Sequence, residues 1–178
     1  RVQALLGPDV RVHAAPCVGR CESAPVAVVH QHPVLQATPA AVQAAVQAGS
    51  LTDKVQGHIG LQDYIAAGGY TLLRDCQQGR REPEQLMQLL QDAGLRGLGG
   101  AGFPAGRKWQ LVRAQPVPRL MAVNIDEGEP GTFKDRWLLE RDPHRFLEGM
   151  LIAAWAVAAE AVYIYLRDEY HGCRAMLG

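Results

Sequence analysis

Two loops in this sequence carry residue types that could do chemistry. The first is Gly94-Leu95-Arg96-Gly97-Leu98-Gly99-Gly100-Ala101-Gly102-Phe103-Pro104-Ala105-Gly106-Arg107-Lys108-Trp109, with six glycines in thirteen positions. Bare backbone lets amide N–H groups approach an anion closely. Arg107 and Lys108 follow where a phosphate would need cationic partners. The stretch contains the Gly97-x-Gly99-x-x-Gly102 dinucleotide spacing. It follows a predicted helix instead of a strand, which argues against an ordinary Rossmann turn. It also lacks the Gly-Lys-Ser/Thr ending of a P-loop. The competing reading is a flexible surface loop.

The second loop, Asn124-Ile125-Asp126-Glu127-Gly128-Glu129-Pro130-Gly131-Thr132-Phe133-Lys134-Asp135-Arg136, places three carboxylates within four residues. Such a cluster repels itself unless something uses it. Ribitol or ribose hydroxyls are good donors to carboxylates, a divalent cation is another partner, and a solvated acidic turn is the alternative without function. A third feature is Cys17-x-x-x-Cys21, set between Pro16 and Pro25.

The elements that position these loops follow from periodicity and breakers. Val10, Val12 and Ala14 alternate with Arg11 and His13, predicting a short strand, and Val26 to Val29 predicts a continuously apolar, central one. Thr38-Pro39 reads as an N-cap and N1 pair for a helix over Ala40–Ala48 closed by Gly49. Residues 51–83 read as a connecting segment with one short helix near Leu61–Ala67. Pro83 opens a helix Glu84–Ala93 with Leu86, Met87, Leu89 and Leu90 on its buried side, ended by Gly94. A strand Leu120–Val123 feeds the acidic loop. A helix of about Pro143 to Glu160, a strand Ala161–Leu166 and a polar turn Arg167–Tyr170 follow. Strand, loop, helix, strand is the grammar of an α/β sheet.

Composition narrows the function classes. Eighteen basic residues balance eighteen acidic ones among 178, so no basic excess points to nucleic acid or an anionic membrane. The apolar run Met150 to Ala159 is far short of the ~20 residues of a span, and no secretory signal is visible, which together predict a cytoplasmic protein. Four cysteines are too few for a disulfide scaffold. The chain opens without methionine and closes just after Arg174–Leu177, which read as a helix start, so the expectation is a piece of a longer polypeptide. Cys76 and Cys173 read as idle thiols. His13, His30, His32 and His58 read as structural, His144 as a helix-end contact, and Trp109, Trp137 and Trp155 as packing residues.

The two loops, together with Pro143-His144, Glu148-Gly149-Met150 and Tyr163-Ile164-Tyr165-Leu166-Arg167-Asp168-Glu169-Tyr170, resemble the flavin subunit of the complex I family. Relatives of that subunit serve NAD-linked hydrogenases and NAD-dependent formate dehydrogenases. The resemblance runs from Gly94 to about Tyr170, and the wording around Asn124–Arg136 and Arg167–Arg174 is closest to the formate dehydrogenase beta subunits. It implies that Gly97, Gly99, Gly100 and Lys108 cradle FMN and that Phe103 stacks near the nicotinamide. It implies that Asn124, Asp126 and Glu127 hold the flavin, that Glu129 and Glu169 flank NAD(H), and that Tyr165 and Asp168 complete the flavin pocket. No protein nucleophile is implied, because hydride passes between nicotinamide and flavin. Three departures stand out: Leu98 in place of arginine, Asp168 in place of glycine, and Leu111 in place of an aromatic.

Pro16-Cys17-Val18-Gly19-Arg20-Cys21-Glu22-Ser23-Ala24-Pro25-Val26 is similar to the second cysteine pair of thioredoxin-like [2Fe–2S] domains. Cys17 and Cys21 would then be metal ligands in the intact protein, with the first pair upstream or lost, and otherwise two free thiols in a turn. The expected organisation is α/β: a partial thioredoxin-like unit over residues 1–50, a connector over 51–83, and the first half of an FMN-binding α/β domain over 84–178. The resemblance implies FMN and NAD as cofactors and [4Fe–4S] cysteines further downstream. It implies as partner an iron–sulfur and molybdenum or tungsten formate dehydrogenase subunit. A complex I or hydrogenase flavin subunit, and a non-catalytic thioredoxin-like docking scaffold, are the rival readings.

Overall fold

The computed structural model describes residues 2–178. In chain order the helices are α1 (Val2–Leu6), α2 (Pro39–Gln47), α3 (Leu61–Ala66), α4 (Thr71–Gln77), α5 (Pro83–Asp92), α6 (Ala105–Arg113), α7 (Lys134–Leu139), α8 (Pro143–Val157) and α9 (His171–Leu177). The strands are β1 (Ala27–Val29), β2 (His32–Val34), β3 (Leu120–Ile125) and β4 (Ala161–Leu166). The fold is α/β, as expected. Two compact units are present, and neither is contiguous in sequence. One comprises Arg1–His58, Asn124–Arg141 and Leu166–Gly178, and the other Ile59–Val123 and Asp142–Tyr165.

In the first unit β1 and β2 form an antiparallel hairpin with Ala27 opposite Val34 and Val29 opposite His32. The expected central strand at Val26–Val29 is therefore one arm of a two-stranded sheet, with Val28 exposed. His30 adopts φ +57°, which lets the chain reverse at once and bring Pro33 into an edge strand, where a missing N–H costs no ladder bond. The strand expected at Val10–Ala14 does not form. No sheet edge among the described residues pairs with it, and Val12 instead gives its N–H to Gln3 Oε1 at 3.1 Å. α2 begins as its sequence predicts: Thr38 Oγ1 accepts from Ala41 N at 3.1 Å, Pro39 follows, and Gly49 closes the end at φ +63°.

The second unit gathers α3, α4, α5 and α6 against α8. α5 starts with Pro83 and a reciprocal capping box between Glu82 and Gln85. Leu86 and Met87 are buried as expected, but Leu89 is 61% exposed and Leu90 half-buried. At ~100° per residue Leu89 falls outside the arc centred on Leu86 and Met87. α6 lies so close to α5 that a Cβ on Gly106 would stand 2.2 Å from the Met87 carbonyl oxygen. Only glycine permits that approach.

β3 and β4 form the second two-stranded sheet. Glu160 N donates to Arg119 O at 2.8 Å at one end, and Arg167 N donates to Ile125 O at 3.1 Å at the other. Both bonds advance in the same chain sense, so the strands run parallel, with α7 and α8 in the crossover. The strand ends deliver the chain into the acidic loop and into the turn at Arg167–Tyr170. Helices α1, α4, α6 and α7 go beyond the elements the sequence predicts, and α9 begins three residues before the expected Arg174.

Candidate functional site

The glycine loop belongs to the second unit. Its base is pinned by Gly97 N to Phe103 O and Ala105 N to Leu95 O, both 2.9 Å, with Arg96 Nη1 donating to Gly102 O at 3.1 Å. Above that pin, the amides of Leu98, Gly99, Gly100, Ala101, Gly102 and Phe103 find no acceptor among the described residues. A Cβ at Gly99, Gly100 or Gly102 would meet open space. Gly100 and Gly102 need glycine for another reason, since their φ values are +99° and +60°. α6 follows at once, with no side-chain cap on its N-terminus and with exposed Arg107 and Lys108 in its first turn. Free amides, the positive end of a nine-residue helix and two cations make a phosphate-binding arrangement. These residues fit the phosphate of FMN. Leu98, at 79% exposure, and Phe103, at 45%, present apolar surface beside the amides. In the same unit Tyr165 is exposed on β4.

The other expected site residues belong to the first unit, and the structure sorts their charges. Glu127 is buried, holds φ +49°, and spends its carboxylate on structure. It accepts from Asp135 N at 2.8 Å, Arg136 N at 3.2 Å and the Tyr170 hydroxyl at 3.0 Å. Asn124 Oδ1 accepts from Asp126 N at 2.9 Å, forming an Asx turn that shapes the start of the loop. The Asp126 carboxylate is half-buried and Glu129 is exposed; neither has a side-chain cation partner among the described residues. Asp168 is largely exposed, 3.4 Å from Arg174 Nη1. Glu169 accepts from Arg167 Nε at 3.0 Å, and that bond holds its carboxyl below the usual glutamate range.

The cysteine loop packs directly on this acidic loop within the unit. Cys17 Sγ lies 3.6 Å from Cys21 Sγ. Gly19 N donates to Cys17 Sγ at 3.4 Å, and Gly131 N donates to Cys21 Sγ at 3.1 Å. The Gly19 amide, the Cys21 thiol and the Arg167 charge together lower the Cys17 thiol pKa against a weaker effect of burial. Among the described residues no group of three or more His, Cys, Asp or Glu side chains could hold a metal. Two thiols are half of the set a [2Fe–2S] cluster needs, so the described residues do not complete that site. A cavity of about 810 Å³ in this unit is lined by Cys17, Cys21 and Glu169 with apolar Val10, Val12 and Val28.

Three residues without a role in the sequence reading hold this arrangement together. Arg136, almost fully buried, donates to Gly19 O at 3.1 Å, to Glu140 at 2.7 Å and to Glu22. Burial works against its charge, and Glu22 and Glu140 restore it. Arg167 donates to Glu127 O at 2.8 Å and to Cys17 O besides Glu169. Both guanidinium groups lie 5.9 Å from the ring centre of Tyr170, and that ring covers Gly19. Burial, then the Glu127 charge, raise its phenol pKa. The signal in the sequence was faint: each arginine adjoins a carboxylate motif, at Lys134-Asp135-Arg136 and Arg167-Asp168-Glu169.

Known proteins resemble this arrangement. Residues 90–177 match the Nuo51 FMN-binding domain family. The F 2 subunit of the NADH-quinone oxidoreductase of Rhizobium meliloti (strain 1021) is 48% identical over 119 residues, which is 66% of this chain and 28% of that protein. The F subunit of the NADH-quinone oxidoreductase of Aquifex aeolicus (strain VF5) is 44% identical over 110 residues, 62% of this chain and 25% of that protein. The crystal structure of an NAD+-reducing [NiFe]-hydrogenase in the air-oxidized state superposes with a TM-score of 0.69 at 32% identity, covering 90% of this chain and 31% of that one. The chain thus spans about 25–31% of the length of these relatives. Residues 90–177, from the last turn of α5 through the glycine loop and the acidic loop to α9, belong to the Nuo51 FMN-binding domain family, the flavin-binding domain of complex I-type subunits.

Proposed function

We propose that the protein carrying this chain is an electron-transfer flavoprotein subunit that exchanges hydride between NAD(H) and FMN and passes electrons to or from iron–sulfur centres. The observation that carries this reading is the run of unpartnered amides from Leu98 to Phe103 leading into the uncapped N-terminus of α6. When bound, FMN supplies a two-electron acceptor that can release electrons singly. The residues of this chain position and discriminate. The Gly99 and Gly100 amides donate to the phosphate, Lys108 adds charge, and Phe103 offers an aromatic face. Asn124, Asp126 and Glu127 are the proposed flavin contacts of the acidic loop, with Tyr165 and Asp168 completing the pocket. Because the Glu127 carboxylate is already satisfied, its contact to flavin is assigned to its backbone. Glu129 and Glu169 accept from nucleotide hydroxyls, and their charge repels a 2′-phosphate, favouring NAD over NADP.

The finer assignment we propose is the beta subunit of an NAD-dependent formate dehydrogenase, supported by the wording of Asn124–Arg136 and Arg167–Arg174. Its partner would be an iron–sulfur and molybdenum or tungsten subunit. A second reading is supported by the names of the relatives: the flavin subunit of an NADH-quinone oxidoreductase or of an NAD+-reducing hydrogenase. The test is to isolate the full-length protein with its subunits and record its visible spectrum before and after NADH. A flavin band that bleaches supports the flavoprotein reading, and its absence overturns it. Reduction of NAD by formate, but not by hydrogen or a quinol, selects the formate dehydrogenase.

A further inference from the structure

Among the described residues of the first unit, Arg167 is the side chain whose guanidinium joins three separate features of the candidate site. Nε donates to Glu169 Oε2 at 3.0 Å, Nη1 donates to the Glu127 carbonyl at 2.8 Å, and Nη2 donates to the Cys17 carbonyl. The side chain is 9% exposed, whereas that of Glu169 is 36% exposed. A buried fork thus presents a half-open carboxylate to solvent.

The second end of the fork matters as much. Glu127 sits at φ +49°, a backbone conformation unfavourable for a residue with a Cβ. Such a conformation persists only where its surroundings over-determine it. Here the Glu127 carboxylate is held by two amides and the Tyr170 hydroxyl, while its carbonyl is held by Arg167. Releasing either end frees the peptide between Asp126 and Gly128 to relax. The third end ties the same guanidinium to the cysteine loop, which also accepts an amide from the acidic loop, Gly131 N to Cys21 Sγ at 3.1 Å.

We propose that Arg167 is a positioning residue for the nicotinamide nucleotide: by one planar fork it fixes both the direction of the Glu169 carboxylate and the backbone of the acidic loop at Glu127. The inference rests on the reading of Glu169 as a nucleotide-facing carboxylate. Planarity is the reason for arginine here. Five N–H groups in one plane reach a carboxylate and two carbonyls at fixed angles, which a lysine ammonium on a flexible stem does not reproduce. Arg167 does not touch the reacting atoms; its effect passes through Glu169 and Glu127.

The experiment uses the full-length protein with its subunits and two variants, Arg167→Lys and Arg167→Gln, measured for FMN content, and for KM and kcat with NADH and with NADPH. The wild type tests the underlying reading first: without FMN and NADH oxidation, that reading fails and the variants are not needed to reject it. With an active wild type, the expected result for Arg167→Lys, measured on the FMN-loaded fraction and expressed per bound FMN, is a rise of about tenfold or more in the KM for NADH, a kcat changed by less than about threefold, and a reduced preference for NADH over NADPH. Arg167→Gln should show the same split more strongly. A residue that only supports folding would lower FMN content and yield together without separating KM from kcat. Should Arg167→Gln fail to fold, Arg167→Lys decides alone. Wild-type KM and wild-type nucleotide preference in the lysine variant overturn the proposal while leaving the flavoprotein reading intact.

Discussion

Tyr64 donates its hydroxyl to Glu148 Oε2 at 2.6 Å, joining α3 to α8 across 84 residues of sequence. The same carboxylate accepts from Tyr70 N at 2.9 Å and Leu73 N at 3.3 Å, so one buried side chain on α8 holds the start of α4 and the Tyr64 side chain of α3. Tyr70 is itself left-handed, at φ 60°, and its hydroxyl meets His144 Nδ1 at 3.0 Å. Glu148→Gln places an amide donor among three donors. It should destabilise the protein by about 1–3 kcal/mol, and Tyr64→Phe by somewhat less. Urea denaturation midpoints indistinguishable from wild type in both variants would show that this node contributes nothing.

The cysteine loop depends on a glycine that the sequence does not single out. A Cβ on Gly19, at φ +70°, would stand 2.5 Å from Tyr170 Cε1. Gly49 has a similar φ of +63° but nothing within 4 Å. Gly49→Ala should therefore cost only the left-handed backbone term of about 1–2 kcal/mol. Gly19→Ala should cost about 1–3 kcal/mol more, because Tyr170 must move off Glu127. Equal losses in thermal stability for the two variants would refute the packing argument.

Gly99 and Gly100 separate ligand from backbone. A Cβ added at either position would have no atom within 4 Å, but only Gly100, at φ +99°, needs glycine for its conformation. Gly99→Val should leave the unfolding midpoint within about 0.5 kcal/mol and still strip FMN from the purified protein. Gly100→Val should lose both stability and FMN. Full FMN occupancy in Gly99→Val would remove the glycine loop from the flavin site.

Glu169→Ala should relax the preference for NADH over NADPH, read as the ratio of kcat/KM values, by removing repulsion against the 2′-phosphate. The pH dependence has a definite sign. Arg167 holds the folded carboxyl below the ordinary glutamate value. The ion pair is therefore fully formed above about pH 5 and is lost only as pH falls through the depressed value. Glu169 therefore stays ionised from about pH 5.5 to 8, and the KM for NADH, which carries no 2′-phosphate to titrate in that range, should be flat over it in the wild type. An unchanged ratio in the variant means Glu169 does not read the ribose.

The thiols should separate by reactivity in the metal-free protein. Cys17 is half-buried with a lowered pKa, while burial pushes Cys173 up to about 12 and also raises Cys76. The thiolate is the nucleophile. Limiting iodoacetamide at about pH 7, followed by peptide mass analysis, should label Cys17 well before Cys173 or Cys76. Preferential labelling of Cys173 would contradict its place in the buried cluster with Arg20, Arg136 and Glu140.

Local chemistry was readable because it is local. Thr38-Pro39, Pro83, Gly49 and Gly94 set helix ends through bonds spanning a few residues, and the apolar run Ala161–Leu166 is the strand β4. The glycine loop and the motif around Tyr163–Tyr170 carried the family resemblance, since residue identity at fixed spacing is what a resemblance consists of. Which charges remain available for a ligand was not readable. Glu127 and Asp126 are neighbours, yet the first is consumed by Asp135 N, Arg136 N and Tyr170, while the second has no cation partner among the described residues. The partners that decide this are far apart in the chain: Arg136 and Gly19 are separated by 117 positions, and Arg167 and Cys17 by 150. The expected strand at Val10–Ala14 failed for a related reason. Alternation marks a segment that can be half-buried, but a strand forms only where another edge offers its N–H and C=O groups, and that is settled by tertiary structure.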